Sequence, residues 1–85
     1  MEFFIGQIVQ FGFNYAPKGF AIADGQLFPI SGNESLFSLL GDSYGGDGRT
    51  NFRVPNLNGG DSETKHLPGT PLNCICIEGM YPARS

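Results

Sequence analysis

A small α+β domain, mostly antiparallel strands with one short helix and glycine-rich loops, is the fold class this sequence predicts. Three observations predict it. Helical periodicity is confined to one stretch at about residues 33–40. The other apolar runs are short, rich in β-branched and aromatic residues, and separated by turn residues. Glycine fills 13 of 85 positions, about twice its usual ~7% share, beside eight phenylalanines and three tyrosines, a composition that suits short strands and tight turns.

Phe3 to Phe13 alternates as a strand, with Phe3, Ile5, Val9, Phe11 and Phe13 on one parity, and Gln7 breaks the pattern. Ala16-Pro17-Lys18-Gly19 is a turn, because proline presets φ and glycine permits the reversal. Phe20 to Ala23 and Gln26 to Phe28 flank Asp24-Gly25, which reads as a two-residue hairpin turn. Pro29 closes that hairpin, since it cannot donate to a ladder. Leu36, Phe37, Leu39 and Leu40 then place four apolar side chains on one side of a helix. Its start has two readings, Ser31 with Glu34 as a capping box or Asn33 as the N-cap, and Gly41 stops it.

Tyr44-Gly45-Gly46-Asp47-Gly48 carries three glycines in five residues, so its backbone can take positive φ or approach another backbone closely. The expectation is a tight loop around an anchored Tyr44, with Gly45 and Gly46 intolerant of a Cβ. Asn51 to Val54 is a short strand closed by Pro55, with Leu57 as its last apolar anchor. Residues 58–71 form a polar, glycine-bearing loop. Leu72 to Ile77 is apolar on both faces and is therefore expected to be buried.

Eighty-five residues make a single domain, 1–85, whose core is marginal, because a chain this short buries only about 60% of its unfolded surface. A net charge of −3 with five Lys+Arg argues against a nucleic-acid groove, which needs clustered positive charge, and against anionic membranes. The first residues lack a basic n-region, and no apolar run approaches the ~20 residues of a membrane span, so neither a cleavable signal nor membrane insertion is expected.

The chemistry-bearing residues are sparse. Cys74 and Cys76, as a lone C-x-C, lack the second pair a zinc site needs and are expected to be two buried thiols. On a strand they point to one face with a spacing that disfavours bonding to each other; a bond between subunits stays open. His66 is the single histidine, in a polar loop, so a nucleophilic triad has little to build on. Asp24 and Asp47 each precede glycine and read as turn residues, and Asp42, Asp47 and Asp61 lack EF-hand spacing. The glycines at 45–48 follow a helix rather than precede one, the reverse of a phosphate-binding loop. No catalytic residue, cofactor or metal is predicted. The three tyrosines read as core residues, with sugar stacking as the alternative. For Arg49 and Arg53 the reading is that one pairs with a loop carboxylate while the other snorkels.

The order of short motifs carries a family resemblance. Phe4-Ile5-Gly6-Gln7-Ile8, Ala16 to Gln26 and Pro29-Ile30-Ser31 are similar to the opening of the phage tail collar domain, also found in microcystin-dependent proteins. Leu36 to Gly41, Tyr44 to Thr50 and Phe52 to Leu57 continue the resemblance in the same order over roughly two-thirds of the chain, and Leu72 to Ser85 resembles the closing segment of longer members. Phe20 stands where the family usually has tryptophan and Ala23 where cysteine is common. Asn56-Leu57-Asn58-Gly59-Gly60 replaces an Asp-Leu-Arg-Gly-Arg type of sequence, so no arginine role carries over. The polar loop at 58–71 stands in place of the longer family insertion.

The resemblance implies a non-enzymatic component of tail fibres or related surface structures. Two functions follow as expectations. The first is a structural subunit of a virion tail or an extracellular surface appendage that self-assembles into a homo-oligomer, fibre or filament. It assembles through Phe3, Phe4, Ile5, Ile8 and Val9, with itself and other tail or appendage proteins as partners. The second is an adhesin-like module binding a cell-surface saccharide or receptor, with Tyr44, Arg49 and Asn58 as contacts. Asp24, Gly25, Gly45, Gly46, Asp47 and Gly48 are assigned to turns in either case.

Overall fold

The computed structural model describes residues 2–58 and 71–82. Among them, five strands and one helix follow the order β1 (Ile8–Phe11), β2 (Phe20–Ile22), β3 (Leu27–Pro29), α1 (Glu34–Leu40), β4 (Asn51–Arg53) and β5 (Leu72–Cys76). The strands form two antiparallel sheets, ordered β1-β5-β2 and β3-β4. The α+β expectation holds. The polar loop at 58–71 lies, except for its two ends, outside the described residues.

The core forms between the two sheets and the helix. Ala21, Leu36, Phe52, Val54 and Ile75 are its buried centre, with Ile5, Phe28, Ile30, Phe37, Leu40 and Ile77 packed against it. Leu39, the fourth residue of the helical stripe, sits at the margin and is 38% exposed. Register assigns the faces of the larger sheet: Ala21 opposes Ile75 on the core side. Val9 and Ile22 oppose Cys74, Phe11 opposes Leu72 and Phe20 opposes Cys76 on the other side. That second side is covered by rings. Phe20 meets Phe3 and Phe11 edge-on at 5.1 and 5.2 Å, Phe13 stacks on Phe11 at 4.9 Å, and Tyr15 leans on Phe13 at 4.6 Å.

The helix starts at Asn33, but no side chain caps it: the Asn33 amide donates instead to the Pro29 carbonyl at 2.9 Å. Gly41 ends it at φ 61, donating to the Phe37 carbonyl at 2.7 Å. The N-terminal strand is shorter than its alternation suggests. Gly6, at φ 86, and the Gln7 N–H bond to the Phe4 carbonyl turn the chain before β1. Phe3 to Ile5 instead run parallel to the chain at Met80, where Ile5 donates to Met80 and Met80 to Phe3 at 2.8 and 3.0 Å.

The Asp24-Gly25 hairpin is not formed. β2 pairs with β5 and β3 with β4, so the two runs flanking Asp24-Gly25 belong to different sheets. Asp24 bridges Asn56 and accepts from the Gln26 N–H at 3.2 Å, while Gly25 turns the corner at φ 80. Asp-Gly fixes that the chain bends; the partner strands are chosen by burial. Leu57 is not an anchor either, being 45% exposed, and the apolar close of β4 is Val54 with Pro55, both buried.

β5 is buried on both faces as its composition requires, and Cys74 and Cys76 are free thiols with no exposed surface. Burial pushes both thiols above their usual range, which keeps them protonated at neutral pH. Cys76 Sγ lies 3.2 Å from the Glu78 carbonyl, an acceptor that a serine hydroxyl inherits; Cys74 has none such among the described residues. Cys74→Ser is therefore expected to lose about 1–3 kcal/mol and Cys76→Ser clearly less. Calorimetric unfolding of the two variants checks this, and equal losses would contradict the packing described.

Candidate functional site

Two surfaces carry the residues singled out from sequence, the glycine loop over β4 and the N-terminal segment beside β5. The loop is organised by Asp47 rather than by Tyr44. Asp47 Oδ1 accepts the N–H groups of Arg49, Thr50 and Asn51 at 2.8, 2.8 and 3.1 Å, and Oδ2 accepts the Thr50 hydroxyl at 2.9 Å. The Asn51 side chain returns a bond to the Asp47 N–H at 2.9 Å. The N–H groups of Thr50, Arg49 and Asn51, with the Thr50 hydroxyl, hold the Asp47 carboxyl well below the usual carboxylate range. So held, it is a fixed acceptor, unsuited to donating a proton as a general acid.

The glycines let this loop lie directly on β4. A Cβ on Gly46 would stand 2.5 Å from Phe52 Cα and 2.9 Å from the Asn51 carbonyl oxygen, at a φ of +89 that L side chains rarely adopt. At Gly45 the Cβ would meet the flexible stem of Arg53 instead, at 2.7 Å. Arg53 is the residue that sequence reasoning undervalued. Its stem lies under the loop while its guanidinium donates to the Gly25 carbonyl at 2.9 Å, joining the loop to the corner between the sheets.

Tyr44, Tyr15 and Tyr81 are 51, 60 and 53% exposed, so none of the three is a core tyrosine. Tyr44 and the exposed Arg49 stand on the fixed loop. Asn58 stands elsewhere and is committed to the backbone: its Nδ2 donates to the carbonyls of Ala23 and Asn73 at 3.1 and 3.0 Å, and its Oδ1 accepts the Asn73 N–H at 2.8 Å. Its role here is to lock the end of β2 to β5. Partners this distant in sequence leave no local signal.

The N-terminal residues divide in two. Phe3 and Ile5 are half-buried, Phe3 against Phe20 and Ile5 against the core, while Phe4 and Ile8 are 48 and 40% exposed. Val9 is half-buried opposite Cys74. Met80 and Tyr81 follow on the adjoining strand-like segment, and the Tyr81 hydroxyl reaches Ser38 Oγ at 2.7 Å, tying that segment to the helix. A cleft of about 380 Å³ opens between Phe3, Phe20 and Met80, flanked by Glu2, Lys18 and Glu78. Among the described residues, no group of three or more His, Cys, Asp and Glu could hold a metal ion, and no helix is long and apolar enough to cross a membrane.

The family model of the phage tail collar domain matches residues 6–61, about two-thirds of the chain, and the chain belongs to that family. A structural role in a phage tail fibre, and hence in the tail of a virion, is what this membership carries. Neither curated proteins nor solved structures yield a match.

Two outcomes follow from the loop geometry. Gly46→Ala is expected to destabilise the fold by about 1 kcal/mol or more, and Gly45→Ala by less, because only Gly46 faces backbone. Denaturant unfolding ranks them, and the reverse order would contradict the approach of loop to β4. Asp47 sets a pH dependence. Its folded value lies below the unfolded value near ~3.9, so its stabilisation is present above about pH 4 and is lost as pH falls further. The Tm should fall on acidification below about pH 4, and Asp47→Asn should flatten that fall; parallel curves would assign the acid sensitivity to other carboxylates.

Proposed function

We propose that this collar-family chain is a non-enzymatic structural subunit that self-assembles, as a homo-oligomer or fibre of a phage tail or a related extracellular surface appendage. One observation carries the reading. Phe4, Ile8 and Met80, all from the paired N- and C-terminal segments, remain 40–48% exposed in a domain whose own core is small. Covering large apolar side chains of this kind contributes about 1.5–3 kcal/mol for each one fully buried, which is large beside the stability of a short chain. Copies of the same chain, and other tail or appendage proteins, are the partners of such a surface.

A second reading rests on Tyr44. Its half-exposed ring and the exposed Arg49 stand on a loop held rigid by Asp47, which suits an adhesin-like module that stacks on a cell-surface saccharide. Asn58, with both amide donors committed, adds little to it.

Sedimentation of the ligand-free protein across a concentration series tests the first reading. Species heavier than the 9.2 kDa chain are expected, and Phe4→Asp should shift them toward the monomer. A wild type that stays monomeric throughout, yet binds a glycan array in a manner that Tyr44→Ala abolishes, would replace the first reading with the second.

A further inference from the structure

The two sheets have four outer edges, formed by β1 and β2 in one and by β3 and β4 in the other. Exposed edges are templates for another strand, and among the described residues three of these four are blunted in part by the chain itself. On β4, the glycine loop takes the outward groups: Arg53 donates to the Gly45 carbonyl at 3.1 Å, and the Asn51 carbonyl accepts from Gly48 at 3.0 Å. On β3, Pro29 has no N–H to offer, and its carbonyl accepts from the Asn33 side chain at 2.9 Å. On β2, Phe20 donates back to the Pro17 carbonyl at 3.0 Å. The Ile22 carbonyl accepts from Gln26 Nε2 at 2.9 Å and from the Asp24 N–H at 3.0 Å.

Among the described residues, β1 carries no such device. Cys76 donates to the Gln7 carbonyl at 2.9 Å, and the antiparallel alternation then turns the backbone groups of Val9 and Phe11 toward β5 and those of Ile8 and Gln10 outward. The side chains of Ile8 and Gln10 are exposed. No charged residue stands between Glu2 and Lys18, so nothing along this edge repels a like strand.

We propose that β1 pairs antiparallel with β1 of a second copy across a two-fold axis, joining two three-stranded sheets into one of six strands. This rests on the self-assembly reading above and gives it a geometry. With Val9 opposite Val9 of the second copy, Ile8 and Gln10 face one another and exchange their outward backbone bonds. An uncharged strand satisfies itself in this arrangement, because an antiparallel pair of identical strands is self-complementary. Growth into a fibre by strand addition needs a second free edge on each copy. Among the described residues β1 is the edge without such blunting, so edge pairing closes at a dimer, and any longer assembly uses a different surface.

Sedimentation equilibrium of wild type and of the Ile8→Lys, Gln10→Lys double variant tests the proposal. Both side chains are exposed and project from one face of the sheet, and across the two-fold axis the new charges stand opposite those of the second copy. The wild type is expected at twice 9.2 kDa, with the variant dissociating at a concentration about tenfold higher or more. A variant as dimeric as wild type overturns the edge while leaving self-assembly through another surface intact. A wild type monomeric at every concentration overturns both, and strand-paired polymers longer than two overturn the closure. Amide exchange on the wild type needs no variant: protection at Ile8 and Gln10 should rise with protein concentration, and protection independent of concentration overturns the pairing.

Discussion

β5 has no free side. The backbone groups of Leu72, Cys74 and Cys76 face β1 and those of Asn73 and Ile75 face β2, while all its side chains but that of Asn73 are buried. β1 and β2 do not pair with each other, so the larger sheet exists only through this strand. The turn at Gly6 donates to Cys76, the segment after β5 receives Phe3 to Ile5, and Asn58 pins the end of β2 against Asn73. A strand so placed must satisfy every backbone group within the chain and tolerate no charge, which is what its apolar composition meets.

That composition made β5 legible from sequence, along with α1 and β4, because each is announced by a local pattern of apolar residues. What stayed illegible was pairing over distance. Asp24-Gly25 signals a bend as strongly in a corner between sheets as in a hairpin, and the difference lies in Ile75 and Phe52, the distant residues against which β2 and β3 find their partners. Asn58 was hidden for the same reason. Its amide serves carbonyls on two strands far away in sequence. In the loop the bulky tyrosine is the conspicuous residue in the sequence, whereas the small carboxylate beside glycine organises it, since Asp47 accepts three successive N–H groups of the turn that follows it.

The family match ends before β5 begins, yet the matched elements lean on that strand for their order. The glycine loop shows the opposite economy. It is self-contained, holding its shape through Asp47 and Asn51 and touching the rest of the fold through Gly46 on Phe52 and through Arg53. Tyr44 and Arg49 can therefore vary without disturbing the sheets, whereas Gly46 and Asp47 cannot.

The position of β5 also sets a timetable for the growing polypeptide. During synthesis β1 and β2 leave the ribosome long before the strand that joins them, and at about 5–20 residues per second the interval from Ile8 to Leu72 lasts roughly 3–13 s. Throughout that interval the phenylalanine-rich first segment has no sheet to enter. Nascent chains crowded on one messenger are exposed to mispairing with each other over that interval, because the partner strand that would cover this segment has not yet been made.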